Sequence, residues 1–220
     1  MLSFRLLGQA TVYNAERPLT KFRSQKEAAL LIYLAHTGQT VSREFMAEFL
    51  WSERSPQQAR SNLRTLLSRL RKWAGDALVT TRTTVSLTPE SRQDVDSVRL
   101  LEALTQVEQV TAPDAAAQLE QALELYQGAF LAGFSLPDAP RFEQWTLTVR
   151  EQIHRQVVAA YRKLGEYFLS TGDVERGIGL ARRWLHVDEL DEGAHLLLTQ
   201  LLIEADRAGE AVAHYDATRE

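Results

Sequence analysis

The chain is expected to be mainly α-helical with a small β component: an N-terminal α+β module followed by an all-α module of helical repeats. Three observations point there. Short alternating stretches, three helix patterns and a β-branched hairpin follow one another before Pro89. Beyond that point nearly every segment carries helical periodicity, and part of it recurs 34 positions later. The two halves also differ in charge. Residues 1–93 hold 14 Lys/Arg against 7 Asp/Glu, and residues 94–220 hold 11 against 22, within a chain whose net charge is −4. A cationic module joined to an anionic one suggests two different tasks.

In order, Leu2–Leu7 alternates as a strand, Gly8 allows a turn, Thr11–Tyr13 reads as a second strand and Leu19–Phe22 as a third. Ser24 opens a capping box with Glu27, and the helix that follows stops at Gly38. Ser42 caps a second helix to Trp51, with Phe45, Phe49 and Leu50 expected inward. A third helix starts at Ser55-Pro56, with Gln58 completing the box, and ends at Gly75. Leu78–Thr81 and Thr84–Leu87 form a hairpin around Arg82-Thr83. Pro89–Gln93 reads as the junction, dividing the chain into residues 1–92 and 93–220.

Helices are expected near 95–109, 115–127, 141–170, 174–186, 192–204 and 209–219. Between the second and third of these lies a Gly/Pro-punctuated loop, Gly128–Pro140. Leu164, Phe168, Gly172 and Gly177 match Leu198, Leu202, Asp206 and Ala211. This is the register of a tetratricopeptide repeat, in which each helix pair buries its face on the next. The chain ends inside a helix without a terminal cap, as a piece of a longer protein would.

The third helix carries the functional signal. At about 100° per residue, Ala59, Leu63, Leu66, Leu67, Leu70 and Trp73 share one side. Arg60, Ser61, Arg64, Thr65, Ser68, Arg71 and Lys72 share the other, and no acid lies between Arg60 and Lys72. One apolar face and one cationic, hydrogen-bonding face let a helix sit in a core and in a DNA major groove at once. Asn62 falls nearer the core side. Arg23, Lys26, Thr40 and Arg43 lie near helix starts, where phosphate contact and plain capping weigh equally. Trp51, Trp73, Trp145 and Trp184 are expected to anchor cores.

Other chemistry is poorly supported. The five histidines are scattered without His-x-x-x-His spacing, so no metal site is expected. No Gly-rich phosphate loop and no G-x-S-x-G elbow is present, so neither catalytic residues nor a cofactor are expected. There are no cysteines, no segment approaches the length of a bilayer span, and the start lacks a signal-peptide pattern. Those features fit a cytoplasmic protein with no membrane partner.

These residues resemble a known family. Residues 1–90, with LSRLRKW at Leu67–Trp73, are similar to the winged helix-turn-helix DNA-binding domain of OmpR/PhoB-type regulators. LELYQGAFLAGF at Leu123–Phe134, followed by FEQW at Phe142–Trp145, resembles the bacterial transcriptional activator domain. Their order resembles that of the SARP family, the Streptomyces antibiotic regulatory proteins. The resemblance implies an activator that binds direct repeats of double-stranded DNA near promoters, self-associates there and recruits RNA polymerase. It places Arg60, Arg64, Thr65, Ser68, Arg69, Arg71 and Lys72 at or near the major groove, and Arg82 and Thr83 at the wing tip. That tip reads TRTT, where such domains usually carry a glycine. Two alternatives stand beside this reading. One is a repeat-based protein scaffold. The other is the non-catalytic N-terminal part of a larger ATPase-containing regulator.

Overall fold

The computed structural model describes residues 2–14, 17–18, 22, 24–106 and 110–217. It has the expected class: an N-terminal winged helix-turn-helix followed by tetratricopeptide-like helices. Packing separates the described residues into two compact units. One holds the residues up to Arg99 together with Leu125–Ile153, and the other holds Leu100–Glu124 and the residues from His154 onward. The division at 92/93 follows composition and repeat pattern, whereas these units follow contact density. Among the described residues no helix is long and apolar enough to cross a membrane.

The first unit begins with an antiparallel sheet of β1 (Leu2–Arg5), β2 (Thr11–Asn14) and β3 (Arg17–Pro18), with Phe4 opposite Val12 and Tyr13 opposite Pro18. Leu2, Phe4 and Leu6 point inward and are buried, as the alternation requires. The first strand is shorter than the Leu2–Leu7 expected. Beyond Arg5 its amides turn to a side chain: the buried Asp96 carboxylate accepts from Leu6 N at 2.8 Å and Leu7 N at 3.1 Å. Burial raises the Asp96 pKa, opposed by these backbone donors. The expected strand at 19–22 falls mostly outside the described residues.

Helix α1 (Gln25–Thr37) is the central core element, with Ala28–Ala35 buried. Ser24 Oγ accepts from Lys26 N at 3.2 Å, and Gly38 N–H closes the other end on Leu34 O at 3.0 Å. A two-residue strand, β4 (Val41–Ser42), leads into α2 (Arg43–Leu50), where Ser42 Oγ accepts from Phe45 N at 3.0 Å. Phe49 and Leu50 are buried, but Phe45 is 38% exposed. Its ring stacks on Phe49 at 5.5 Å and leans on Tyr33 at 5.9 Å, with its outer edge toward solvent. Helix α3 (Pro56–Ala74) follows. Then come β5 (Leu78–Thr80) and β6 (Thr84–Leu87), which join β4 in a sheet of order β4-β6-β5.

The segment after the hairpin is fastened to this unit. Arg5 makes a two-pronged ion pair with Asp94 at 2.9 and 3.0 Å, which holds that carboxyl below its ordinary pKa. Arg92 Nε donates to Ala35 O at the end of α1. The Gly128–Phe134 loop continues the pairing of β1. Gly8 N–H donates to Ala129 O at 3.1 Å, and Leu131 N–H to Leu6 O at 2.8 Å. A Cβ on Gly128 would stand 3.2 Å from Gly8 Cα, tighter than ordinary contact, so the two segments approach most closely at a pair of glycines. Rings finish the assembly. Trp145 packs on Tyr33 at 5.0 Å, Phe130 at 5.7 Å and Phe142 at 5.4 Å. His36 lies among them, its Nδ1 2.9 Å from Ser97 Oγ, and burial pushes its pKa down to about 4.

The second unit contains α5 (Pro113–Leu123), the later part of α6 (Pro140–Thr171), α7 (Val174–Val187), α8 (Glu192–Glu204) and α9 (Ala208–Ala217). Residues 100–106 of α4 (Asp96–Gln106) also belong to it. The 34-residue register is visible in the backbone. Asp173 N–H donates to Phe168 O at 3.1 Å, and Arg207 N–H to Leu202 O at 2.8 Å, the same turn one repeat later. Gly172 has φ 70° and Asp206 φ 58°, both left-handed. Trp184 is fully buried, stacked 6.0 Å from Tyr161 and pressed on Gly193.

Candidate nucleic-acid interface

Helix α3 divides its residues as the angular reading predicts. Ala59, Leu63, Leu66, Leu67 and Leu70 are buried. Arg60, Arg64, Thr65, Ser68, Arg69, Arg71 and Lys72 are exposed, and Asn62 is half-buried between the faces. Fully burying one leucine side chain stabilises by about 1.5–3 kcal/mol, so the four leucines fix the rotation of the helix and hence the face it presents. Ser55 Oγ caps its first turn at 3.4 Å from Gln58 N.

The exposed residues are not equivalent. Arg60 lies 3.5 Å from Glu44 of α2. Arg69 reaches back toward the buried Glu27 of α1, at 3.9 Å. Arg71 donates to Thr80 O at 3.2 Å and to the Thr80 hydroxyl, which ties α3 to the first strand of the hairpin. Thr65 Oγ1 donates within its own helix, to Ser61 O. Arg64, Ser68 and Lys72 have no side-chain partner among the described residues. They form the part of the face open to a new contact.

The hairpin tip achieves without glycine what such tips often need glycine for. Thr81 Oγ1 accepts from Thr83 N at 3.2 Å and Thr84 N at 2.9 Å, and it shares a hydrogen bond with Thr84 Oγ1 at 2.7 Å. A threonine hydroxyl that binds the amides two and three residues on replaces a backbone turn bond. No residue of the tip has positive φ. Arg43 N–H donates to Thr83 O at 2.8 Å, anchoring the tip on the start of α2. Arg82 is exposed at the apex and has no partner among the described residues.

The helix-start cations fare differently from one another. Lys26 is buried, with Nζ 2.7 Å from Leu50 O, 2.8 Å from Asp138 Oδ2 and 5.0 Å from the Trp51 ring. It is a structural cation and cannot also serve a phosphate. Arg23 lies outside the described residues. No local pattern marks Asp138 as the partner of Lys26, since the two are far apart in sequence.

The C-terminal part of the chain, residues 94–220, matches the model of the bacterial transcriptional activator domain. The chain is 28% identical over 159 residues to the regulatory protein AfsR of Streptomyces griseus, covering 68% of this chain and 16% of AfsR. It shares its fold with Mycobacterium tuberculosis EmbR, solved in complex with a low-affinity phosphopeptide, at a TM-score of 0.68 and 20% identity. That match covers 99% of this chain and 58% of EmbR.

Proposed function

Because the chain belongs to the bacterial transcriptional activator domain family, and is a transcription regulator of the SARP type, we propose that it activates promoters by binding duplex DNA through α3 and the β5–β6 hairpin. The observation that carries this is the outward face of α3. It is cationic from Arg60 to Lys72, and its arginines at either side are already braced by Glu27, Glu44 and Thr80. Arg64 and Lys72 then face a polyanion, with Ser68 between them able to donate or accept at a base edge or phosphate. Arg60, Arg69 and Arg71 position the helix and add field. Arg82 reaches the adjacent minor groove from the hairpin apex, with Thr83 beside it.

Two or more protomers side by side on direct repeats, contacting RNA polymerase, complete the reading. Repeated selection of bound duplexes from a random pool tests it. Direct repeats spaced near one helical turn are expected. Recovery of no shared sequence would leave a scaffold as the better account. The chain spans 16% of AfsR, which leaves room for a second reading as the non-catalytic part of a larger ATPase-containing regulator. Nucleotide hydrolysis by the product of the full coding region decides that point.

A further inference from the structure

Three helices of the second unit frame a groove between α6 and α8. Tyr161 of α6 stacks on Trp184 of α7, and Phe168 lies against Gly177, so α7 runs back along α6. Trp184 lies against Gly193 of α8, and Gly177 against Leu201, so α8 runs back along α7. Helices α6 and α8 therefore lie side by side and point the same way. They meet closely: a Cβ on Gly165 would stand 2.5 Å from Leu197 Cδ2. The groove above this contact holds about 210 Å³, less than the roughly 300–1,000 Å³ of cofactor- and drug-sized sites. It suits a molecule the size of one amino acid.

The chemistry of the groove changes along its length. At the end where α8 begins, Arg162 is exposed and has no side-chain partner among the described residues. Beside it are the first backbone N–H groups of α8, the positive end of that helix. Beneath lies Trp184, 1% exposed, whose indole N–H has no acceptor among the described residues. The ring edge that carries this nitrogen faces Gly193, with Cζ2 3.6 Å from where a Cβ would stand. One turn along α6, about 6 Å further, Glu166 is exposed and has no side-chain partner either. Arg162 and Glu166 are four positions apart but do not pair, in keeping with the less favourable order of cation before acid. Leu169, Leu197 and Leu196 supply the apolar wall, and Leu196 is 71% exposed.

We propose that this groove binds a free α-amino acid with a large apolar side chain. Its carboxylate lies between Arg162 and the start of α8, where every neighbouring group is a donor, and presents an acceptor to the Trp184 edge. Its ammonium faces Glu166, and its side chain lies on Leu169, Leu196 and Leu197. The order of charges selects the zwitterion: a plain carboxylic acid leaves Glu166 unused, and a plain amine leaves Arg162 and the indole N–H unused. The groove lies wholly in the second unit, and the proposal does not rest on duplex binding by α3.

The test titrates ¹⁵N-labelled chain with L-phenylalanine and L-leucine and follows the indole N–H resonances, that of Trp184 being assigned from the spectrum of Trp184→Phe. A saturable shift of the Trp184 resonance is expected with at least one of the two, while those of Trp51, Trp73 and Trp145 stay in place. Removing either charge from the ligand, as in 3-phenylpropionate or phenethylamine, should weaken binding at least tenfold. Arg162→Ala and Glu166→Ala, both at exposed helix positions, should each do the same, while Arg182→Ala binds as the unaltered chain does. Helicity measured alongside shows that the variants fold. The spectrum of the unaltered chain stands independently of any variant: no saturable shift of the Trp184 resonance with either amino acid overturns the proposal. So does an affinity for 3-phenylpropionate equal to that for L-phenylalanine, or one that neither Arg162→Ala nor Glu166→Ala changes.

Discussion

Arginines crowd both units, yet they are spent differently. In the second unit Arg176 and Arg183 share Glu120, at 2.5 and 3.3 Å, and Arg182 and Arg207 share Glu210, at 3.3 and 2.7 Å. Each of these guanidiniums has a carboxylate from a neighbouring helix or turn. On α3, among the described residues, the acids come from α1 and α2 and reach Arg60 and Arg69. Arg64 and Lys72 are left with none among the described residues. The difference teaches that the number of cations does not make a polyanion surface. What matters is whether the fold supplies local counter-charges, because a guanidinium already paired must break that pair before it binds phosphate.

Reversing the unpaired charges gives the largest expected effect. Arg64→Glu/Lys72→Glu should weaken duplex binding about a hundredfold or more, each lost contact being worth roughly 1–3 kcal/mol. Arg182→Ala/Arg183→Ala, which removes as many cations from the second unit, should leave duplex affinity unchanged. Gel-shift titration reads both, and equal losses would break the comparison.

Acid separates the units next. His36 in the first unit is held neutral, its pKa lowered to about 4 from 6.5 by burial and by Arg92. A histidine whose folded pKa is depressed contributes stability that is full above pH 6.5 and is lost as pH falls toward 4. The loss amounts to roughly 3 kcal/mol. Urea midpoints of the unaltered chain should fall across that window, and His36→Gln should flatten the fall.

Two smaller effects sharpen the picture within each unit. Gly172→Ala places a side chain at φ 70° and should destabilise the second unit by about 1–2 kcal/mol. Asp206→Gly, at the equivalent turn, should shift stability by less than about 1 kcal/mol, since Asp tolerates this conformation. Thermal midpoints compare the pair. Thr81→Ala removes the acceptor for the Thr83 and Thr84 amides. It should cost about 1 kcal/mol and raise exchange at those two amides several-fold.

What could be read from the sequence was what local periodicity encodes. The two faces of α3, its caps at Ser55 and Gly75, and the paired turns at Gly172 and Asp206 all follow from residues within a few positions of one another. Interactions that join distant segments were not legible. Nothing near Leu6 announces that Asp96 will take its amide, and nothing near Lys26 names Asp138. The brace from Arg71 to Thr80 was hidden by the same rule, since spacing places Arg71 on the outward face but does not say how its long side chain will lie. GAFLAGF and FEQW were visible as motifs. Their physical content, aromatic rings packed on α1 and α2 within the first unit, needed three dimensions.

The central claim is that the unpaired face of α3 binds the phosphates and bases of a duplex. Fluorescence anisotropy of a selected duplex over a series of KCl concentrations tests it most directly. Affinity should fall linearly on a log–log plot, and Arg64→Ala/Lys72→Ala should reduce the slope by about two, close to one released counterion per lost contact. Salt-independent affinity, or a slope that the double variant leaves unchanged, would contradict the account.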